Sequence, residues 1–448
     1  AYIISRGLAW PSQILAVTFT NKAAREMRER LGSMLNQDYT QRNFMPWMGT
    51  FHGICVKILR IEGGVINIPS NFVIYDESDK KGVVKQAMKS LNITDKQIKA
   101  SAASGIISAE KNKMNTPEIV IANARFPYQQ QIGEIYKMYE KLKRESNALD
   151  FDDLLLVAVK LLQSNAAVLD KYSKRFKYVM IDEYQDTNNV QEMITALLSR
   201  NNNRFMVGDI KQSIYRFRLA DPTIFQEKYK HYANPKNPFN LRIDLNRNFR
   251  SDASILAGIN FIFKQIMSEK ALELDYGAAE ALYPGKSTCT DKQYIGGAID
   301  IDIIDKKDIL PEQELPEEVK DIKRIEVEGI HIANRIKDIL ASGKTILTKD
   351  GSTRPVTYND IAILMRSIST KATYLVHTLQ TEGIPCICEQ KDDFFETIEV
   401  RQLWSLLQIL NNPRLDIPLV AILRSSWIGL DEQELAHLYL IKKELTDS

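Results

Sequence analysis

Tyr178-Val179-Met180-Ile181-Asp182-Glu183-Tyr184-Gln185-Asp186-Thr187-Asn188 is the stretch around which the other segments arrange themselves. Four apolar or aromatic residues are followed abruptly by acids. Such a short apolar run reads as a strand buried on both faces, as in parallel sheets. Open α/β sheets bind ligands outside the carboxyl ends of their strands, where Asp182 and Glu183 fall. Alternation along a strand sends the two side chains to opposite sides, so their tasks should differ. At a phosphate site Asp182 can hold a hydrated Mg²⁺, and Glu183 can orient or deprotonate an attacking water. A bare Asp-Glu pair is more often a solvated acidic turn. The whole string and its surroundings favour the chemical reading.

Upstream, Ile14–Thr18 reads as a second buried strand, running into a helix expected over Ala23–Met34, with Gly32 able to stop it early. The turn between them, Thr18-Phe19-Thr20-Asn21-Lys22, offers hydroxyls, an amide and a helix amino terminus to phosphates, and Phe19 could stack on a base. The plainer alternative makes Phe19 core and Lys22 a solvated helix start. Trp47–Gly53 repeats the strand-to-helix pattern, with a helix over Ile54–Arg60; Thr50 and His52 could touch a phosphate backbone. A lone histidine there is more often structural.

Residues 70–146 are mostly helical in pattern and rich in lysine, with helix starts at Asp76 and near Thr94 and a long helix over Tyr128–Arg144. They read as an insertion between strands of one sheet, with solvated lysines as the default. Asp150-Phe151-Asp152-Asp153 then caps an apolar helix, Leu154–Leu162. Arg204–Val207 is a further strand, ending in Gly208-Asp209. Gln212 just past it could bridge a terminal phosphate and its water. Ile214-Tyr215-Arg216-Phe217-Arg218 alternates arginine with aromatics, the composition of a single-strand groove. Leu241–Leu245 reads as a strand, followed by Asn248-Phe249-Arg250-Ser251 and a helix to about Met267; Arg250 could reach a phosphate across a cleft. Ala298–Ile304, Tyr358–Arg366 and Pro385–Cys388 are strand candidates, Glu326–Leu340 an amphipathic helix, and the chain is helical after Glu396.

At 448 residues the chain holds about three domains at roughly 100–200 residues each. A net charge of +2 advertises no single-sign field, so contact with a polyanion must come from local patches. Four scattered cysteines argue against a disulfide framework and for a reducing compartment. Cys386 and Cys388 have no second ligand pair for zinc, and the histidines lack metal spacing. No segment approaches a membrane span. A glycine loop of the form G-x-x-x-x-G-K-[ST] is missing. Gly285-Lys286-Ser287 supplies its last letters, but Glu280 stands where the first glycine should be and no strand is expected before it. Either the chain binds no triphosphate, or such a loop is expected to precede Ala1.

Together Val17–Ala24, Gly49–His52, Asp150–Asp153, Asp182–Thr187, Gly208–Tyr215 and Asn248–Ser251 resemble, in order, the UvrD/PcrA/Rep branch of superfamily 1 DNA helicases. The chain looks PcrA-like to about residue 200. After that it looks like the AddA component of the AddAB helicase–nuclease, notably at Lys211–Ala220 and Phe394–Arg401. The resemblance implies an α/β fold with two RecA-like parallel-sheet domains, the first incomplete, and helical insertions. Its boundaries would be 1–66 with 147–246 for the first domain, 67–146 for the insertion, 247–393 for the second domain and 394–448 for the start of another insertion. It implies ATP and Mg²⁺ as cofactors, with Asp182 on the metal, Glu183 activating water, Gln212 sensing the γ-phosphate, Arg250 contacting it and Phe249 near the adenine. Single-stranded DNA would run along Thr18, Phe19, Thr20, Asn21, Lys22, Thr50, His52, Phe217 and Arg218. The expected activity is 3′-to-5′ DNA translocation in repair or recombination, in the cytoplasm, on single-stranded and partly duplex DNA, with a nuclease partner of the AddB type.

Two other readings compete. One is an inactive DNA-binding or regulatory module; the other, weaker, is a two-metal nuclease site at Asp182, Glu183 and Asp186. The 448-residue chain by itself is expected to show essentially no ATP turnover in a phosphate-release assay. Its weak binding to single-stranded DNA, followed by fluorescence anisotropy, should fall as salt is added.

Overall fold

The computed structural model describes the chain except residues 42, 201–202, 217–218, 234–239, 269, 271–274, 286–290, 292, 297–298, 306–316, 349–350, 367–368, 389–396, 412–415 and 447–448. Two compact units result, Ala1–Ile243 and Asp244–Ser448. No helix of the described residues is long and apolar enough to cross a membrane.

The first unit opens with a short helix, α1 (Tyr2–Ser5), and strand β1 (Ile14–Thr18). Thr20 starts α2 (Asn21–Leu35) two residues before the expected point, because its hydroxyl oxygen accepts the Ala23 N–H at 3.1 Å. Gly32 does not stop this helix. A Cβ there would lie 2.9 Å from the Gln37 carbonyl oxygen, so glycine permits close chain approach, and left-handed Asn36 ends the helix. Strand β2 (Met48–Thr50) passes directly into α3 (Phe51–Glu62), three residues before the expected Ile54, since Thr50 accepts the Gly53 N–H at 3.2 Å.

The chain then leaves through β3 (Val73–Tyr75) and runs through helices α4 (Glu77–Ser90), α5 (Ala100–Asn112), α6 (Pro117–Ala122) and α7 (Pro127–Glu145). It returns through β4 (Ala148–Asp150), paired in parallel with β3. Neither strand is expected from the sequence; at three residues each they are too short to show a period. The helix expected near Thr94 begins at Ala100. Next come α8 (Phe151–Ser164), α9 (Ala166–Arg175), β5 (Tyr178–Ile181), α10 (Asn189–Leu198), β6 (Arg204–Met206) and α11 (Pro222–Tyr232).

One parallel sheet organises the unit, in the order β2-β1-β5-β6. The period of two sends Leu15, Val17, Val179 and Ile181 to one face, against α3, α8 and α10 through Ile58, Leu59, Leu155 and Ile194. Ile14, Tyr178 and Met180 turn to the other face, with Leu31, Phe44 and Met45. Truncating a fully buried leucine such as Leu161 would cost about 2–5 kcal/mol.

The insertion has its own core, including Val84, Ile107, Ile135 and Tyr139. Most of its lysines are exposed, as expected, but Lys80, Lys111 and Lys143 depart from that default and are buried. They converge on the aspartates that open α8. Lys111 Nζ lies 2.7 Å from both Asp150 and Asp153 and 2.8 Å from Glu140; Lys143 joins Asp153 and Glu140; Lys80 lies 2.7 Å from Asp152. Tyr139 adds a hydroxyl bond to Asp150 at 2.6 Å. Burial alone would raise the Asp150 pKa, but the ammoniums of Lys111, Lys143 and Lys80 outweigh it and hold the carboxyl well below the usual range. Glu140, Asp150 and Asp153 are spaced to hold a cation, yet Lys111 and Lys143 already supply the positive charge.

The second unit pairs Arg247–Asn248 in parallel with Tyr283–Pro284, and Thr345–Leu347 antiparallel with Thr353–Pro355. Its core joins helix Glu317–Ala341 to Ser369–Thr381 through Ala333, Ile336, Leu375 and Leu379. Helices Ala253–Ile266, Ile398–Asn411, Asp416–Leu423 and Glu432–Thr446 complete it. Several expected strands do not form. Leu241–Leu245 and Pro385–Cys388 carry no ladder, and Leu241, Leu245 and Ile387 face solvent. Ile299–Ile304 is likewise unladdered, with Asp300 bound to Arg335 at 2.7 Å; Ala298 lies outside the described residues. Tyr358–Asp360 is a 3₁₀ turn, since Asp360 is gripped by Arg354 at 2.7 Å and accepts the Thr357 N–H at 2.8 Å; no strand follows at Ile361–Met365. Alternation records which side chains could be buried together, but a strand also needs a second backbone.

Lys111→Ala should cost about 3–5 kcal/mol, because it strands buried carboxylates. Hydrogen exchange of the α5 and α7 amides in urea measures it. Since the folded pKa of Asp150 is depressed, its contribution is complete above the unfolded value of about 3.9. It is lost as pH falls towards the folded value, so the deficit should shrink below about pH 4.

Candidate functional site

The site grows from the carboxyl edge of the sheet. The strand β5 ends at Ile181, and Asp182 N–H still bonds the Val17 carbonyl at 3.0 Å. Glu183 then takes the left-handed conformation at φ +54°, costly for a residue with a Cβ. The two acids thus lie past the end of the strand, at a backbone turn. Asp182 Oδ1 accepts the Glu183 N–H at 3.0 Å. Buried Thr18, at the end of β1, donates its hydroxyl to Glu183 Oε2 at 3.1 Å. Both acids are half-buried. Asp182 offers a hard oxygen at an open strand end, the ligand type Mg²⁺ takes beside phosphates and waters.

Behind them, Asp186 is buried beside Glu183, and its Oδ1 has no hydrogen-bond partner among the described residues. Burial first, then the Glu183 charge, pushes its pKa up to about 6. Gln185 Oε1 accepts the Asp209 N–H at 3.1 Å, which ties the acidic loop to the end of β6. Gly208 is obligatory there: a Cβ would meet Gln185 Oε1 at 2.6 Å and the Phe225 ring at 2.9 Å. Gln212 ends a 3₁₀ turn and is exposed, and its amide donates to Asp209 Oδ2 at 3.0 Å. Lys211 pairs with the other Asp209 oxygen at 3.0 Å. Glu192 gathers the Tyr184 hydroxyl, Arg204 and Lys228, bracing β6 and α11.

The proposed nucleic-acid contacts also emerge at this edge. The Phe19 and Tyr215 rings lie 5.1 Å apart, bringing the turn after β1 to the segment after β6. The Thr20 and Thr50 hydroxyl oxygens serve as helix caps, while Asn21 and Lys22 are exposed at the start of α2. His52 meets Phe151 edge to face at 5.6 Å. Burial lowers the His52 pKa, and the Asp152 charge opposes the shift. Phe217, Arg218, Lys286, Ser287 and Phe394–Glu396 lie outside the described residues.

Phe249 and Arg250 belong to the second unit. There Asn248 Oδ1 accepts the N–H groups of Arg250 and Ser251, each at 2.8 Å, and the exposed Phe249 ring lies against Gly285. A two-residue strand, Tyr283–Pro284, falls inside the span of the pattern, after Glu280 and not before it. Glu280 still denies the phosphate-loop pattern its first glycine.

Two family models match the chain. Residues 1–233 match the UvrD/REP helicase N-terminal domain, and residues 243–447 match the UvrD-like helicase C-terminal domain. The chain belongs to the UvrD-like helicase family. Domains of this family are RecA-like, in keeping with the parallel sheet. Similar proteins include the A subunit of the ATP-dependent helicase/nuclease of Clostridium beijerinckii, 37% identical over 78% of this chain and 30% of that protein. The Listeria monocytogenes protein of the same name is 38% identical over 82% of the chain and 30% of its own length. The chain thus spans about a third or less of these curated relatives.

Within this UvrD-like chain, sequence reasoning passes over Tyr215 and Phe151 as ring partners, and Thr18 as a ligand of Glu183. Phe151 is hidden by its place in a capping string, although an aromatic at an exposed first helical position is a usable signal. Nothing local foretells the Thr18–Glu183 bond, whose partners stand 165 residues apart. Gly208→Ala should displace Gln185 and lower stability by about 1–3 kcal/mol. Urea unfolding would show the loss, and exchange of the Asp209–Gln212 amides would rise.

Proposed function

We propose that the protein carrying this chain is an ATP-dependent DNA helicase that moves 3′-to-5′ on single-stranded and partly duplex DNA in repair or recombination. One observation carries the reading. In a UvrD-like chain, Asp182, Glu183, Thr18 and Gln212 gather at the carboxyl edge of a single parallel sheet. Under this reading Glu183 takes the proton of the attacking water while the Thr18 hydroxyl fixes its carboxylate. Asp182, oriented by the Glu183 N–H, would hold Mg²⁺, which would supply positive charge against the phosphate oxygens. Gln212 exchanges its bond to Asp209 for one to the terminal phosphate. Arg250 contributes positive charge to the same phosphate, and Phe249 stacks near the adenine.

DNA runs past Thr18, Phe19, Thr20, Asn21, Lys22, Thr50 and His52, with Phe217 and Arg218 continuing the path. The first RecA-like domain comprises 1–66 and 147–246, the insertion 67–146, the second domain 247–393, and a further insertion starts at 394. The relatives' name makes them one subunit of a helicase/nuclease, which supports a place in a multisubunit enzyme; on this reading the partner is a nuclease of the AddB type and the complex works in the cytoplasm.

In the complete protein, Glu183→Ala should lower ATP turnover by about 10²–10⁴-fold while salt-sensitive binding to single-stranded DNA persists. Steady-state hydrolysis and anisotropy titration measure the two. Turnover at the unsubstituted rate would remove Glu183 from the water-activating role.

A further inference from the structure

The acidic loop is joined to the helical insertion by a line of directed hydrogen bonds that the proposed chemistry leaves unused. Asn188 ends the loop. Its Oδ1 caps α10 by accepting the Gln191 N–H at 2.9 Å, and its Nδ2 donates to Asn112 Oδ1 at 3.0 Å. Asn112 is the last residue of α5. Its own Nδ2 donates to Asp152 Oδ1 at 3.1 Å and to the Ser108 carbonyl at 2.9 Å. Asp152 Oδ2 takes Lys80 from α4 at 2.7 Å and the Ser108 hydroxyl. Each carboxamide is polarised from both ends, so rotating the Asn112 amide by half a turn would set donor against donor and acceptor against acceptor.

Asp152 stands next to Phe151, whose ring packs on His52 at the proposed nucleic-acid edge. At the other end of the line, only five residues separate Asp182 from Asn188. Gln185, between them, is pinned to Asp209, so the loop has little slack to absorb a shift. All of these groups lie in one compact unit. A displacement of the His52–Phe151 pair moves the first turn of α8, and Asp152 with it. Asn112 is the only side chain among the described residues with bonds to both Asp152 and Asn188.

We propose that Asn112 is a positioning residue that couples the nucleic-acid edge at His52 and Phe151 to the hydrolytic loop Asp182–Asn188, so that bound DNA sets the rate of ATP hydrolysis through it. The inference rests on the helicase reading. It assigns Asn112 no contact with nucleotide or DNA. Couplings of this kind commonly amount to about 5–150-fold, and a bonded line between two sites needs a functional test before it counts as a coupling route.

The test uses the complete protein and a single-stranded oligonucleotide. It measures basal turnover, the KM for ATP, DNA-stimulated turnover and the DNA concentration for half-stimulation. Asn112→Ala and Asn112→Asp should leave basal turnover and KM within about twofold. Both should lower maximal DNA stimulation at least about fivefold, with half-stimulation at the same DNA concentration. The introduced carboxylate faces Asp152, so Asn112→Asp should be the more severe. Adding Asp152→Asn to Asn112→Asp reverses the donor and acceptor and should restore stimulation, which a merely structural defect would not do. Undiminished stimulation in both single variants overturns the inference and leaves the helicase reading standing. Basal and stimulated rates falling in parallel, with no rescue, also overturn it. If the unsubstituted protein hydrolyses no ATP at all, the helicase reading fails first and the inference with it.

Discussion

The parallel seating of β5 between β1 and β6 is the constraint on which the first unit turns. Ile181 lies opposite Val17 on one side and Met206 on the other, so three strands finish at one level. The ladder runs slightly beyond them: Asp182 N–H reaches Val17 and Tyr184 N–H reaches Val207, at 3.0 and 2.9 Å. A hydroxyl, two acids and the Gly208-Asp209 turn therefore leave from one edge, although they are far apart in the chain. A slip of one residue would exchange the faces of every strand side chain, burying Met180 where Ile181 belongs. The two apolar faces hold the register, and the register holds the site.

The helical insertion is attached by charge as well as by apolar packing. Three buried lysines, one from each of α4, α5 and α7, meet the three aspartates around the start of α8. Buried ion pairs of this kind add little net stability compared with apolar packing, yet they are severe about geometry, since a misplaced partner leaves a charge unpaired in a poorly solvating interior. The insertion is thereby fixed in one orientation against the sheet. The same aspartate string meets the sheet edge through Phe151 and His52 and the acidic loop through Asn112 and Asn188. One short capping sequence thus touches the insertion, the sheet edge and the acidic loop.

Much of the first unit is legible in order. The strands Ile14–Thr18 and Tyr178–Ile181, the caps at Asp76 and Asp150, and the long helix ending near Arg144 follow from period and capping chemistry. The acids are legible through the whole string Tyr178–Asn188 and its surroundings, since a bare Asp-Glu pair would read as a solvated turn. The lysines are not, because composition cannot tell a solvated ammonium from one facing an aspartate some forty residues away, as Lys111 faces Asp150. Further along the chain, Leu241–Leu245 and Pro385–Cys388 have strand-like composition without a ladder, while Asp360 engages Arg354 and Thr357 in a local turn.

The amino-acid order alone determined the main strands and helices of the first unit, the acidic end of its central strand and the membership of a helicase family. These are local properties: period, caps and short strings act within a few residues, and each can be read where it stands. Which distant groups meet was settled by tertiary structure. Thr18 finds Glu183, Phe19 finds Tyr215, and Asn112 joins Asp152 to Asn188 only because parallel strands and packed helices return the chain to the same edge. Glu183 likewise reaches its position by a left-handed turn that no propensity favours, and that the surrounding ladder bonds impose.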